Sequence, residues 1–383
     1  MPFALPDITE AEVEAVAETV RSGWLTTGPN AEAFEREMAE FLGGGDLQCI
    51  AVNSATAGLH LAVEALGLGP GDEVLVPAWT FTSTAEVVRY VGAKPVLVDC
   101  DPSTLNMDFD DADAKVTQRT RAVMPVHMAG RPIPHAAIRA FAMRHRLAVV
   151  EDAAHAFPAR DGGRYVGDST SEAVVFSFYA TKTITTGEGG MIMVRSEALA
   201  QRMRTMRLHG INRDVFSRYQ SATPSWQYDV IAPGFKYNLP DLAATIGRVQ
   251  LSRAREMWAA RHSIACRYHQ AFANLPVTLP VLPADPEEHA WHLFVIRVDE
   301  VESGIHRDLF IERLSALGVG ASVHFIPLHL HPYWADHCGV GPEALPRATR
   351  EAERVVSLPI YSSMSEKDVD HVIRSVKTVL RTC

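Results

Sequence analysis

The chain has 383 residues, of which 47% are hydrophobic and 21% are charged. This length and composition are typical of a globular protein with a large hydrophobic core. The formal net charge is −10, which argues against nucleic-acid binding because that function needs a concentrated basic face. No apolar run approaches the roughly 20 residues that span a bilayer, and the first residues do not resemble a secretory signal. We therefore predict a cytoplasmic protein without a membrane partner.

Short apolar runs alternate with helical patterns over about the first 250 residues, which predicts an α/β region with a mostly parallel sheet. A helix is expected over Thr56–Leu66, where apolar side chains recur at helical spacing. The apolar runs contain much Val and Ile and little polar alternation, as expected for strands that are covered on both faces. The predicted strands are Cys49–Asn53, Glu73–Pro77, Pro95–Asp99, Ala122–His127, Leu147–Glu151, Ala173–Phe178 and Met191–Arg195.

The pattern changes near Asp241, where one long helix is predicted to run toward Arg261. The remaining predicted elements are strands at His292–Val298 and Ala321–Phe325, a helix around Leu309–Leu317 and a last helix at Asp368–Leu380. This order is typical of a small α+β unit. We predict a large α/β domain over residues 1–250 and a smaller α+β domain over residues 251–383.

Two reactive side chains stand near the ends of predicted strands. Asp152 follows one strand, and Lys182 follows another in the segment Ser177–Gly190. Ligands of open parallel sheets bind beyond the carboxyl ends of the strands. A pyridoxal 5'-phosphate (PLP) enzyme needs a lysine amine for the aldehyde and a carboxylate that keeps the pyridine nitrogen protonated. On residue types alone, a turn-capping aspartate and a solvated lysine are the commoner explanation.

The surrounding residues favour the PLP interpretation. Glycines at residues 187–190 allow a tight loop after the lysine. The backbone amides of Thr56 and Ala57 begin a predicted helix, where the unpaired N–H groups attract a phosphate. Phe81 follows a third strand and offers a ring for stacking. Beyond the segments with Asp152 and Lys182, each of these three signals is weak alone, but all four lie at strand ends and fit one cofactor.

Several longer segments carry a family resemblance that runs nearly end to end, from Ser22–Pro29 to Ser357–Ile360. The matching segments between them are Ser54–Ala57, Glu151–Ala156, Gly234–Leu239 and His289–Phe294. The sequence resembles the DegT/StrS family of sugar-nucleotide aminotransferases. The resemblance implies an aspartate aminotransferase-like (type I) PLP-dependent transferase fold. Within the family, the pattern is most similar to the aminotransferases that make UDP-4-amino-4-deoxy-L-arabinose.

The resemblance also implies a role for individual residues of this chain. By position, the implied cofactor contacts are Lys182 as the Schiff-base lysine, Asp152 at the pyridine nitrogen, His155 beside the phenolic oxygen, Phe81 against the ring, and Thr56, Ala57 and Ser177 at the phosphate. A homodimer with shared active sites is implied as well. A residue of Gly234–Leu239 would then reach the partner's cofactor phosphate, and both Lys236 and Asn238 remain candidates.

The side chains that resemble the family's substrate contacts come from the N-terminal segment, the loop after Lys182 and a histidine-rich segment. They are Trp24, Thr26, Thr27, Glu188, His324 and His329. The histidines of residues 323–331 have no carboxylate partner and stand in a strand-to-proline loop, so we predict no metal site. The five cysteines are scattered and form no CxxC pair, so neither a zinc site nor a disulfide framework is expected.

The implied reaction is a ping-pong transfer of an amino group from L-glutamate to a nucleotide-linked keto sugar, in which a 4-keto sugar is favoured. Related sugar dehydratases have histidine at the position of Lys182, so this residue favours transamination. A cyclitol aminotransferase of the scyllo-inosose type and a non-catalytic regulator with the same fold remain alternatives. A nicotinamide-dependent oxidoreductase is disfavoured because no GxGxxG turn follows an early strand.

Overall fold

The strands of the protein form one large sheet and two small ones in a computed structural model, which describes residues 1–212 and 228–381. Each of the seven predicted N-terminal strands is present, with ends that differ by a few residues. The strands are β1 Gln48–Val52, β2 Glu73–Pro77, β3 Lys94–Val98, β4 Thr120–Val123, β5 Ala148–Asp152, β6 Arg160–Asp161, β7 Arg164–Tyr165, β8 Ala173–Ser177, β9 Gly190–Val194, β10 Phe294–Arg297 and β11 Val355–Leu358.

The large sheet has the strand order β1-β9-β8-β5-β4-β2-β3. Its neighbours from β8 to β3 are parallel, whereas β9 runs antiparallel to both β8 and β1. The predicted mostly parallel sheet is thus confirmed, with one reversed strand. Because β5 and β8 are parallel neighbours, Asp152 and Ser177 end at the same edge of the sheet.

Helices cover the faces of this sheet, as the apolar strands predict, and further helices pack around the small β10–β11 sheet. They are α1 Glu10–Ser22, α2 Pro29–Leu42, α3 Ala55–Ala65, α4 Ser83–Tyr90, α5 Phe109–Lys115, α6 His135–His145, α7 Glu197–Arg207, α8 Asp241–Ser252, α9 Ala254–Phe272, α10 Glu300–Ser303, α11 Arg307–Ala316, α12 Pro332–Cys338, α13 Pro346–Ala352 and α14 Glu366–Arg381. No helix within residues 1–212 and 228–381 is long and apolar enough to cross a membrane.

The single long helix predicted from Asp241 toward Arg261 is wrong. The chain leaves helical geometry at Arg253, which has φ −101° and ψ 1°, and α9 then begins at Ala254. The Arg253 guanidinium forms ion pairs with Asp7 and Glu12 near α1. Hydrophobic spacing alone gives no sign of this break, because apolar side chains continue through both helices.

The strand predicted at Ala321–Phe325 is also wrong. Only Ser322 pairs there, through two backbone hydrogen bonds with Ser357 of 2.8 and 3.1 Å. The strand that pairs with β10 is instead β11, in antiparallel register. Beyond Ser322 the chain leaves the sheet, and His324 and Phe325 line a cavity beside the large sheet.

The buried hydrophobic side chains around the large sheet and those around the small β10–β11 sheet form separate clusters. Those between the large sheet and its helices include Trp79, Phe34 and Phe176. The small β10–β11 sheet packs in its own cluster with α9, α11 and α14, around Tyr268 and Phe310. The domain boundary at residue 250 stays a prediction.

Candidate active site

A cavity of about 400 Å³ lies beyond the carboxyl ends of β5 and β8. This is the edge of the sheet where an open parallel sheet binds its ligands. The cavity brings together eight of the side chains that the sequence predicts for a site. They are Thr56, Phe81, Asp152, His155, Ser177, Lys182, Glu188 and His324.

Lys182 lies in the loop between β8 and β9 and lines the cavity. Burial lowers the pKa of this amine to about 8, although the Asp152 carboxylate opposes the shift and the Arg261 guanidinium adds to it. A lysine with this pKa is partly unprotonated near neutral pH, as a nucleophilic or basic amine must be. The backbone N–H of Lys182 donates to Tyr179 O at 2.9 Å, which fixes the turn that carries it.

Asp152 is the last residue of β5 and is only 4% exposed. The hydroxyl of Thr84 donates to its Oδ2 at 2.8 Å, and the N–H of Ala154 donates to its Oδ1 at 3.1 Å. Burial raises the pKa of this carboxyl group, and the two hydrogen bonds oppose that shift. A carboxylate with this environment gains stability when a cationic group binds next to it.

The strand end that carries Asp152 is held by buried hydrogen bonds to the residue before it. Glu151 accepts from His127 at 2.9 Å and from Ser169 at 2.6 Å. The N–H of Ile133 donates to Nδ1 of His127, so the ring proton on Nε2 faces Glu151. Burial raises the pKa of Glu151, but the bonds from His127 and Ser169 outweigh it and lower the pKa. These contacts restrict the backbone immediately before Asp152.

The N-terminus of α3 forms another wall of the cavity, where Ser54, Ala55 and Thr56 lie. Unpaired backbone N–H groups at such a helix end attract anions. Gly190 permits this arrangement, because a Cβ at this position would lie 2.8 Å from Ala55 N. Ser177 lines the cavity as well. The predicted phosphate contact through Ala57 is less direct, because its N–H already donates to Ser54 Oγ at 3.1 Å.

Three buried or half-buried histidines lie around the cavity. The His155 and His292 rings are 4.4 Å apart between centroids. Burial lowers the pKa of both rings well below the ordinary value, and the Lys182 charge adds to the effect. Burial also lowers the pKa of His324 to about 4. All three imidazoles are therefore neutral near pH 7, and they accept or donate hydrogen bonds without adding charge.

Five of the predicted substrate contacts or partner contacts lie outside the cavity, and Thr27 is one of them. Lys236 donates to Asn238 Oδ1 at 2.6 Å, and Asn238 donates to Thr27 Oγ1 at the same distance. Trp24 donates to Thr27 O at 3.2 Å and lines a separate groove between α1, α2 and α8. Thr26 is exposed, and its carbonyl accepts from Asp241 N.

His329 does not reach the cavity either, in contrast to the sequence-based expectation. It is 1% exposed and forms a hydrogen bond of 2.8 Å with Thr349. The short 3₁₀ helix Leu328–Leu330 turns this side chain away from the segment that carries His324. The alternation of histidines in the sequence does not reveal this turn.

Sequence reasoning missed several residues of the site. Thr84 bonds to Asp152, and His292 lies 3.3 Å from the Lys182 amine between Nε2 and Nζ. Phe325 packs against Phe81, the predicted stacking residue, with ring centroids 5.8 Å apart. The segment His289–Phe294 carried a signal, since it belongs to the family resemblance, but nothing in its spacing pointed toward Lys182.

The residues present fit PLP. The lowered pKa of Lys182 suits an amine that bonds to an aldehyde, and the buried Asp152 suits a protonated pyridine nitrogen. The helix N-terminus at Ala55–Thr56 suits the phosphate. Nδ1 of His155 is buried and has no hydrogen-bond partner among the described residues, as expected for a group whose partner is a ligand.

Comparisons with known proteins agree with this chemistry. A family model described as the DegT/DnrJ/EryC1/StrS aminotransferase family matches residues 6–377. The chain is 44% identical over 382 residues to the spore coat polysaccharide biosynthesis protein SpsC of Bacillus subtilis (strain 168). The match covers 100% of this chain and 97% of that protein.

Solved structures give the same result. Spr1654 from Streptococcus pneumoniae in its PMP form has a TM-score of 0.92 and 32% identity, covering 100% of this chain and 99% of that one. Its PLP form has been solved too. The sugar aminotransferase CalS13 from Micromonospora echinospora has a TM-score of 0.87 and 30% identity, covering 98% and 99% of the two chains.

Proposed function

Because the chain belongs to the DegT/DnrJ/EryC1/StrS aminotransferase family and is a PLP-dependent sugar aminotransferase, we propose that it transfers an amino group from L-glutamate to a nucleotide-linked keto sugar. Lys182 is the residue that bonds to the cofactor. The observation that carries this proposal is that Lys182 and Asp152 line the same cavity at the carboxyl edge of the sheet.

In this proposal, each wall of the cavity holds one part of the cofactor. Lys182 bonds to the aldehyde, Asp152 pairs with the pyridine nitrogen, and Phe81 covers one face of the ring. The N-terminus of α3 and Ser177 bind the phosphate. When bound, PLP supplies an aldehyde that captures amines and a protonated ring that withdraws electrons from the substrate carbon.

The side chains then carry out three tasks. Lys182, when its amine is free, would take a proton from the α-carbon of the amino donor as general base and give it back as general acid. Asp152, oriented by Thr84 and Ala154, keeps the ring nitrogen protonated. His155, which is neutral because burial lowers its pKa, donates a hydrogen bond without adding a charge that would repel Lys182.

The acceptor side is proposed from the family resemblance and from the relatives. SpsC is named for spore coat polysaccharide biosynthesis, which supports a sugar that is destined for a glycan. A nucleotide-linked 4-keto sugar, as in the making of UDP-4-amino-4-deoxy-L-arabinose, is the specific substrate that we propose. Glu188 and His324 line the cavity and are the proposed sugar contacts. The protein acts as a homodimer in this proposal, with Lys236 or Asn238 reaching the partner's cofactor.

The proposal is tested by the absorbance spectrum of the purified protein with PLP. We expect a visible band that moves to the near ultraviolet after addition of L-glutamate and returns with an active keto sugar. Lys182→Ala and Lys182→Arg should lack the visible band of bound cofactor, and the second variant controls for loss of charge. An unchanged band in both variants would exclude Lys182 as the bonding residue.

The acceptor is identified with a set of nucleotide-linked 4-keto sugars and free scyllo-inosose. Restoration of the visible band by a nucleotide-linked sugar alone supports the proposed substrate class. Restoration by the free cyclitol alone would instead support a cyclitol aminotransferase, which has the same chemistry at the cofactor.

A further inference from the structure

We propose that His292 is a positioning residue for the Lys182 amine. Its Nε2 accepts a hydrogen bond from Nζ of Lys182 and holds the amine in place while that amine is not bonded to the cofactor. This proposal rests on the proposed function, in which Lys182 is the residue that bonds to the cofactor. Nε2 of His292 lies 3.3 Å from Nζ of Lys182, and both residues line the same cavity.

The tautomer of His292 follows from this contact. The ammonium form of lysine only donates hydrogen bonds, so toward this form of Lys182 Nε2 accepts and the ring proton is on Nδ1. Nδ1 is buried and has no hydrogen-bond partner among the described residues. His292 is 6% exposed. A buried polar ring of this kind, left partly unsatisfied beside a reactive amine, indicates function more than stability.

The backbone that delivers His292 is held in an unfavourable conformation. Trp291, the residue before it, has φ +51°, a region that bulky side chains rarely adopt. Its N–H donates to Nδ1 of His289 at 2.9 Å, and the two rings stack with centroids 3.8 Å apart. Such local strain persists only where the surroundings enforce it.

The surroundings fix this segment from both sides. Ala290 N donates to Gly130 O at 2.8 Å, and Leu293 N donates to Ala129 O at 3.1 Å. Gly130 has φ +99°, and a Cβ there would lie 2.8 Å from His155 O and 3.2 Å from His292 N. Only glycine therefore lets the segment approach so closely.

A buried arginine completes this support. Nη1 of Arg261 donates to the carbonyls of Trp291 and His292 at 3.3 Å each, and Nη2 donates to Thr181 O at 3.4 Å. Thr181 directly precedes Lys182, so one guanidinium is bonded to both the histidine segment and the lysine loop. The contact between Lys182 and His292 is thus fixed at both of its ends.

A neutral imidazole suits this position better than a carboxylate. The titratable and charged groups that face the Lys182 amine are Asp152, Arg261, His155, His292 and His324. A second carboxylate would favour the ammonium form and keep the base protonated. His292 orients the amine without that penalty, because burial lowers its pKa and keeps it uncharged.

The test compares His292→Phe, which removes the acceptor, with His292→Gln, whose amide oxygen can accept near the place of Nε2. The full-length enzyme is loaded with pyridoxamine phosphate, so that the Lys182 amine is free. Acetic anhydride labelling of Lys182 is followed by mass spectrometry across pH. The half-reaction with L-glutamate, ordinary or deuterated at its α-carbon, is followed by stopped-flow absorbance in separate samples loaded with PLP, the cofactor form that reacts with an amino donor.

We expect the labelling midpoint of Lys182 to move to lower pH in His292→Phe, because a lost acceptor destabilises the ammonium form. The half-reaction should nevertheless slow on the order of 100-fold, the loss expected for a misplaced catalytic group, and its deuterium isotope effect should increase. His292→Gln should recover most of the rate. More free amine together with a slower reaction is a result that a change in protonation alone does not give.

Unchanged labelling and isotope effects in His292→Phe would overturn the proposal, provided that circular dichroism and thermal unfolding match the wild type. His292→Met is a second apolar replacement if the phenylalanine variant does not fold. His262→Gln, a change at a histidine of α9 outside the cavity, is the matched control. Failure of the proposed function would show differently, as a wild-type visible band that does not depend on Lys182.

Discussion

The two sides of the cavity are built on different principles. On the sheet side, Asp152 and Ser177 end two parallel neighbouring strands, so the topology itself brings them to one edge. On the opposite side, His292 and His324 stand on irregular backbone that is held by long-range contacts. The sheet side supplies the charged chemistry, and the irregular side supplies neutral groups whose positions depend on their supports.

The first prediction concerns the sheet side and has the largest expected effect. Asp152→Asn should lower kcat/KM on the order of 10²- to 10³-fold, because a preorganised charge at the ring nitrogen is lost. The visible band should remain, since Lys182 is intact. Steady-state kinetics and the absorbance spectrum check this together.

Thr84→Val sharpens the same prediction. It removes only the hydroxyl that donates to Oδ2 of Asp152 at 2.8 Å. A hydrogen bond to a charged group contributes about 1.5–3 kcal/mol, so a smaller loss than for Asp152→Asn is expected. Equal losses in both variants would contradict the view that Asp152 acts directly and Thr84 acts through it.

The sequence alone predicts the sheet side well for a physical reason. Strand ends follow from hydrophobic runs, and parallel pairing then places Asp152, Ser177 and the loop with Lys182 at one edge, whatever their separation in sequence. The N-terminus of α3 is predicted equally well because it follows from local helical spacing.

The irregular side could not be predicted in this way. His292 approaches Lys182 across 110 residues, through a positive φ at Trp291 and a close contact at Gly130, and neither has a periodic signal. The same limit explains His329, which sequence placed at the substrate and the structure places against Thr349. Contacts that depend on single bends of the chain leave no periodic signal in the sequence.

The second prediction concerns the support of the irregular side. Arg261 is 2% exposed and donates to four carbonyls, the fourth being Ile360 O at 2.8 Å. Each buried carbonyl left without a donor costs about 1–3 kcal/mol, and removal of the buried charge offsets part of this loss. Arg261→Met should therefore lower the free energy of unfolding by about 3 kcal/mol. Urea titration followed by circular dichroism measures this change.

Arg261 also has an electrostatic effect that separates from its hydrogen bonds. Its charge lowers the pKa of Lys182, so Arg261→Met should raise that pKa and move PLP capture to higher pH. Arg261→Lys keeps the charge but lacks the planar fork of donors. It should therefore restore the pH profile and not the stability, and a lysine variant as stable as wild type would refute the role of the fork.

The smallest expected effect is an acid sensitivity that belongs to the irregular side. Burial lowers the pKa of His289 to about 3, whereas an unfolded histidine titrates near 6.5. The unfolded chain thus binds a proton that the folded chain refuses, and stability is present above pH 6.5 and lost as the pH falls from 6.5 toward 3. This histidine contributes a loss of about 1.4 kcal/mol per pH unit in that range.

His289→Asn, which can still accept from Trp291 N, should reduce the slope of unfolding free energy against pH, measured by urea titration between pH 5 and 6.5. The same exchange at solvent-exposed His306 is the control for a histidine replacement outside this segment. An equal slope in wild type and His289→Asn would mean that water reaches this ring before the chain unfolds, and that the segment supporting His292 opens locally.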